Sequence, residues 1–416
     1  MSRKEKFILL FLCFIDTSFF YLFKPPDLIE RYMNNYQKTI LVLIIIFFII
    51  LFSKKIIKTK YIFIKHIILL LFIYIIGIIT GIFRYNQNFY NVLSIGLYFL
   101  VPLIYLIFST FIRNEKDIYT FEKIIAIIST FIALLFNIQY VLFNASNRIF
   151  LNIDILKAQI SSRFGEIRIY ESSYFILFGT ILLISLIVKK SKKNNMIYYI
   201  FLIINMFYIF IVFKSRIASI SFLIILITIV FLKNIDNFLK ILCSSIFMFM
   251  LVFILLNTNY GKMYLDSIDL DSTSVRSEAI EYYNNQTKDV IITGVGFINA
   301  NNNVELKSFT MGNDGKFYKD DVGVINLLNT FGILGVLWYI FIIFTMIKIM
   351  KDLYKSYKII EFIELISIFM LIIITSFTMI ISDSQRIFTL PIALTIFDSY
   401  YKIYIKNKKL YIKEKK

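Results

Sequence analysis

The groups able to do chemistry in this sequence are arginines and carboxylates placed beside apolar segments. Arg216 follows Lys214-Ser215 and opens an apolar run. A tight turn entering a helix offers free backbone N–H groups beside a fixed guanidinium, a combination suited to phosphate. Snorkelling of Lys214 and Arg216 at a membrane interface is the plainer alternative. Arg163 and Arg168 flank Gly165, and Glu171 follows at the edge of the next apolar run. Two guanidinium groups suit a pyrophosphate, and a carboxylate at that edge can orient a sugar hydroxyl. A loop of solvated charges is the competing reading. Arg276 lies in a segment where Thr273 or Ser274 caps a short helix with acidic residues early in it. The Gly294-Val295-Gly296 that follows lacks the strand–turn–helix setting of a nucleotide site and reads as a turn for close packing. Asp320-Asp321 comes last. If the next apolar helix begins at Val322, both carboxylates lie in its first turn, either as a cap favoured by the helix dipole or as a base for an incoming hydroxyl.

The elements that must position these groups follow from solvent physics. The chain has 416 residues, 59% of them hydrophobic, with only 13 Gly and 4 Pro, and a mean hydropathy of +0.76. A water-soluble domain has no interior large enough to hide that surface. Roughly 20 apolar residues make one bilayer-spanning helix, and helices satisfy every backbone group internally. The pattern predicts an all-α, polytopic integral membrane protein of about 12 spans, near 7–23, 39–53, 61–82, 91–110, 118–143, 170–188, 196–213, 217–232, 239–256, 322–347, 359–381 and 387–403. It reads as one membrane-embedded domain over 1–416, with loops at 144–169 and 257–320, the larger one between spans nine and ten, and a basic tail at 404–416. The first segment has a basic start, but Asp16 and the bulky Phe19-to-Phe23 run leave no signal-peptide cleavage site. It is expected to be a retained helix.

Lysine and arginine set the orientation, because basic loops stay cytoplasmic. Lys54, Lys55, Lys58 and Lys60, then Lys189, Lys190, Lys192 and Lys193, fall on the same side as the lysine-rich tail. Both termini are therefore expected in the cytoplasm and both large loops outside the cell membrane. The net charge of +18 is explained by orientation and anionic lipid, without nucleic acid. Cys13 and Cys243 both lie in apolar spans, and His66, the only histidine, sits near the cytoplasmic end of the third span. No disulfide framework, metal site or cofactor is expected. There is no internal repeat of the inverted-transporter kind around Pro102 and Pro391, and the spans read as poor in buried charge.

Taken in order, these motifs resemble those of the O-antigen ligase and Wzy-type polysaccharide polymerase superfamily. Asp321-x₄-Asn326-Leu327-Leu328-x₃-Gly332-Ile333-Leu334-Gly335 resembles the segment where a polar residue precedes a Gly-Ile-x-Gly helix. Lys214-Ser215-Arg216 resembles the Ser-Arg hairpin, Arg163-Phe164-Gly165 with Glu171-Ser172 the Arg-x-x-Gly-type entry, and Arg276 with Gly294-Val295-Gly296 the outer Arg helix and Gly-x-Gly turn. The likeness covers roughly 160–345. The ligases usually carry histidine where this chain has Asp321, which points to the polymerase branch. The resemblance implies a metal-free, inverting glycosyltransferase without a cofactor, joining undecaprenyl-pyrophosphate-linked repeat units of a surface polysaccharide such as a capsule or O-antigen. Arg163, Arg168, Arg216 and Arg276 would hold pyrophosphate, with Asp320 also contacting substrate. Asp321 or Glu171 would serve as the catalytic carboxylate, and Phe309, Phe317 and Tyr318 would stack on sugars. Implied partners are the lipid-linked substrate, membrane lipid, a flippase and a chain-length regulator. The alternatives are a lipid-linked oligosaccharide flippase or transporter, or a ligase-type glycan transferase.

Overall fold

Helices make up nearly all regular structure, and no strand occurs among the described residues. This computed structural model describes residues 1–22, 36–153, 167–189, 196–232, 272–300, 303–312 and 314–414. The expected span 239–256 with Cys243, and Arg163 with half of loop 144–169, lie outside the described residues.

The chain opens with α1 (Arg3–Asp16), α2 (Tyr36–Leu51) and the short α3 (Ser53–Lys58). Then come α4 (Ile64–Tyr85), α5 (Phe89–Gly96), α6 (Ile104–Phe108) and α7 (Glu115–Ser146). Next are α8 (Ser173–Lys189), α9 (Met196–Phe207) and α10 (Arg216–Leu232). The polar stretch contributes α11 (Ser272–Thr287) and α12 (Val304–Met311). The chain closes with α13 (Val324–Tyr354), α14 (Ile363–Thr375) and α15 (Thr389–Glu414). Among the described residues, four stretches are long and apolar enough to cross a membrane: Ile64–Tyr85, Phe89–Phe108, Glu115–Ser146 and Val324–Tyr354. Shorter apolar helices include Ser173–Lys189 and Arg216–Leu232. Phe47, Phe72, Phe83 and Phe344 are exposed on the outer surface. A surface so apolar suits lipid. The tail expected at 404–416 is largely a continuation of α15.

Local chemistry explains the helix ends. Asn114 caps α7 by accepting from the Asp117 amide at 3.0 Å, and Glu115 and Asp117 oppose the helix dipole. Asn86 and Asn147 end α4 and α7 in the left-handed conformation, which asparagine tolerates well. Pro102, lacking an N–H, sits in the 3₁₀ turn Leu97–Leu103 between α5 and α6.

The feature that most shapes the site is a break in α13. Gly332 leaves the helical conformation at φ 64°, so nearby backbone groups lose their helical partners. Residues 291–297 of the polar stretch lie in the gap and replace them. Val295 N–H donates to Asn329 O at 2.7 Å, Gly296 N–H to Thr330 O at 2.9 Å, and Ile333 N–H to Ile291 O at 2.7 Å. A Cβ on Gly294 would meet Gly332 N at 2.5 Å, and one on Gly332 would meet Ile292 C at 2.4 Å. Both positions need glycine for the approach and for their positive φ. The Gly-x-Gly is thus a close-packing turn, as its sequence suggests, but its partner is a broken membrane-type helix. Phe297 N–H then donates to Gly77 O of α4 at 3.1 Å. The Phe297 side chain is buried against Tyr74, Phe99 and Phe331, anchoring the polar stretch in the helical core.

The helices hold more buried charge than their sequence suggests. Asp16 pairs with Lys38 at 2.5 Å, Glu364 with Lys189, and Asp398 with Lys402 at 2.5 Å. His66 is a packing residue: it stacks on Phe341 and contacts Thr345 Oγ1 at 3.0 Å.

Candidate functional site

Asp320 and Asp321 do not lie in the first turn of a helix. They occupy a 3₁₀ turn, Lys319–Asp321, and α13 starts only after Gly323. No side chain caps α13, whose first amide, Val324 N–H, donates to Ser376 O at 2.9 Å. The capping role open to either aspartate is therefore filled by backbone.

A five-residue turn, Ser382 to Arg386, holds this segment. Arg386 is buried, pairs with Asp383, and donates to Asp320 O at 3.1 Å. Asp383 accepts from Asn326 Nδ2 at 2.9 Å, and Asn326 Oδ1 accepts from Thr330 Oγ1 at 3.1 Å. One network thus joins the turn before α13, the first two turns of α13, and the α14–α15 connection. Beside it lies a cavity of about 300 Å³ lined by Tyr98, Phe297, Phe317, Tyr318, Lys319, Asp320, Asn326 and Ser384. Its mixed aromatic and polar wall can hold a sugar ring. Burial raises the Asp320 carboxyl above the ordinary range, with Arg386 opposing and Asp321 adding to the rise. Burial likewise pushes the Lys319 ammonium down to about 8 against the pull of Asp320. Of the aromatics expected to meet sugars, Phe317 and Tyr318 line the cavity, while Phe309 packs on Tyr85.

A second group of candidate residues lies at the entry to α8 and the α9–α10 hairpin, outside the cavity lining. Arg168 Nε donates to Phe213 O at 2.7 Å, and its guanidinium lies over the Phe213 ring, 5.2 Å from its centroid. Arg216 begins α10 three residues later, half-buried, after a π-helical turn at Tyr208–Val212 and Lys214 in the left-handed region. Burial lowers the pKa of Arg168, while Tyr208, Asp321, Tyr170 and Glu171 all act to hold its charge. Asp321, exposed, is thus near enough for its charge to reach Arg168, as that of Glu171 does. Glu171 Oε2 also accepts from Tyr170 N–H at 3.2 Å.

Arg276 stands on α11, one face of which packs Ala279, Ile280 and Tyr283 against Val322 and Phe317. Tyr283 feels both Asp320 and Asp321, and Lys319 lies over its ring at 5.7 Å. Seven residues separate Arg276 from Tyr283, so the two share a face about 10 Å apart along the axis. The buried Arg276 Nε has no hydrogen-bond partner. Arg168 is thus within electrostatic reach of Glu171 and Asp321, Arg216 adjoins it through the hairpin, Asp320 lines the cavity beside Arg386, Arg276 stands further along α11, and Arg163 lies outside the described residues.

Lys319, Asp383 and Arg386 went unnoticed in the sequence. Only an Asp and an Arg three apart between two apolar runs, and a lysine beside the aspartates, marked them. No protein-family model matches the chain, and no curated protein matches it, so its site stands on this geometry alone.

Proposed function

We propose that this protein is a metal-independent, inverting glycosyltransferase of the polysaccharide-polymerase kind. It joins oligosaccharide repeat units carried on undecaprenyl pyrophosphate at the outer face of the cytoplasmic membrane, with about 12 spans and both termini inside. The observation that carries this reading is the grouping of Arg168, held by the Phe213 carbonyl, with the carboxylates Glu171 and Asp321 and, beyond them, the cavity-lining Asp320. Cations opposite carboxylates at the end of a helix bundle suit a reaction with an anionic leaving group and a hydroxyl nucleophile.

In the proposed reaction the anomeric carbon–oxygen bond to the lipid pyrophosphate breaks as the acceptor hydroxyl attacks from the opposite face. Arg168 and Arg216, with Arg276 and Arg163, neutralise charge on the departing pyrophosphate. A carboxylate takes the hydroxyl proton. Asp321 and Glu171 are candidates by position, and Asp320 joins them because it lines the cavity and burial raises its pKa. Lys319 and the aromatic cavity wall hold the acceptor sugar. A flippase and a chain-length regulator are the proposed partners.

Conversion of purified lipid-linked repeat unit to polymer, read as a ladder on a gel, tests the reading. Arg168→Ala is expected to abolish the ladder with the protein still in the membrane, and lysine to restore it only in part, lacking the planar fork. A full ladder from Arg168→Ala sinks the proposal.

A further inference from the structure

The far end of the bundle holds a second cavity, about 410 Å³, between α7, α8, α13 and α15. Glu115, Tyr119 and Glu122 reach it from one face of α7, spaced by four and three residues. Glu122 is only 3% exposed, and its Oε1 is buried with no hydrogen-bond partner. Lys189 is committed elsewhere: it pairs with Glu364, donates to Tyr400 Oη at 2.7 Å, and lies over the Tyr400 ring. The charges of Glu364 and Lys189 both reach Glu122. Two carboxyl groups thus stand against one ammonium, on a wall that also presents Tyr119, Tyr357, Phe362 and Tyr400. A buried carboxylate oxygen without a partner is costly unless something supplies a donor.

We infer that this cavity binds an organic ammonium group, with Glu122 as its ion-pair partner and the tyrosine rings as its apolar and cation–π walls. The volume falls within the range of small-molecule pockets, roughly 300–1,000 Å³, and far exceeds a bare ion. No group of three or more His, Cys, Asp or Glu able to hold a metal occurs among the described residues. An acidic lining disfavours anions, and the exposed Glu115 and Glu361 favour cations. Aromatic rings attract ammonium groups across their faces. The ammonium could arrive on a soluble amine or on an ethanolamine lipid headgroup.

The test is calorimetric titration of the whole protein with n-butylammonium, first in detergent and then in nanodiscs of phosphatidylglycerol or phosphatidylethanolamine. Saturable binding is expected in detergent, weakened about tenfold or more in Glu122→Gln and unchanged in Arg168→Ala at the other end. Binding suppressed only in phosphatidylethanolamine discs identifies the lipid as the natural ligand; equal binding in both discs identifies a soluble amine. Absence of saturable binding to the unaltered protein, or equal binding by Glu122→Gln, overturns the inference. Should Glu122→Gln not fold, Tyr357→Ala at the half-buried wall decides, with undiminished binding again overturning it.

Discussion

The two ends of the helix array are built differently. At the Asp320 end the backbone is irregular: Asn86, Asn147, Ser172, Lys214, Gly294, Gly296 and Gly323 all have positive φ, and Gly332 breaks α13 just beneath them. At the Lys189 end, with Arg113 and Lys355, no residue with positive φ occurs among the described residues. Left-handed backbone at a residue other than glycine costs on the order of 1–3 kcal/mol and gathers at functional sites. The ends also differ in how charge is handled. Near Asp320 ionisable groups crowd around an open cavity, and Asp321 is left exposed. Near Lys189 the ion pair is closed, and Glu122 and Glu364 each keep one buried carboxyl oxygen without a hydrogen-bond partner. One end is shaped by loops to bring distant groups together; the other is a set of ordinary helix ends with a pocket between them.

The largest effect expected from breaking this contrast is at the helix break. Gly332→Ala puts a methyl group 2.4 Å from Ile292 C and should cost the folded protein, read as loss of a monodisperse peak in detergent. A normal peak and melting temperature would show that residues 291–297 do not depend on the break. Next comes Arg386→Ala, which strands Asp383 as a buried charge and should destabilise by about 3–5 kcal/mol in chemical denaturation. An unchanged midpoint would mean the Asp320 end does not rest on that pair.

Asp320→Asn and Asp321→Asn keep size and remove charge. Each should cut polymer formation by roughly 10²–10⁴ at normal protein level, with single repeat units accumulating. Wild-type polymer from both would move the chemistry to Glu171. The smallest effect is a pH shift. Lys319, at about 8, is charged below that pH and neutral above it. Asp320, with its raised pKa, ionises only above the ordinary carboxylate range. The rate is therefore expected to fall on both sides of neutrality, and Lys319→Arg should extend the alkaline side. An identical alkaline limb in Lys319→Arg would remove Lys319 from the reaction.

Much of the helical frame was legible because it is local: runs of apolar residues long enough to be helices announce themselves without any partner. The hairpin at Lys214-Ser215-Arg216 was legible for the same reason, as a polar interruption between two such runs. What the sequence concealed was long-range. Gly332 sits in a Gly-Ile-Leu-Gly string that reads as ordinary helix; only the arrival of residues 291–297 shows that the helix opens there. The Asp383–Arg386 turn joins Asp320 across more than sixty residues, beyond any local pattern. The buried pairs Asp16–Lys38 and Glu364–Lys189 escaped notice because each partner alone resembles an interfacial residue.

The insertion of residues 291–297 also sets an order of assembly. Gly77, which receives Phe297 N–H, leaves the ribosome about 220 residues before Phe297 does, an interval of roughly 11–44 s at ordinary rates of synthesis. Throughout that interval the groove on α4 waits for a plug that has not been made. When α13 finally emerges, its open backbone groups at Asn329, Thr330 and Ile333 cannot rest in lipid alone. The first half of that helix must therefore settle last, after the plug is seated, making completion of the site a late checkpoint in biogenesis.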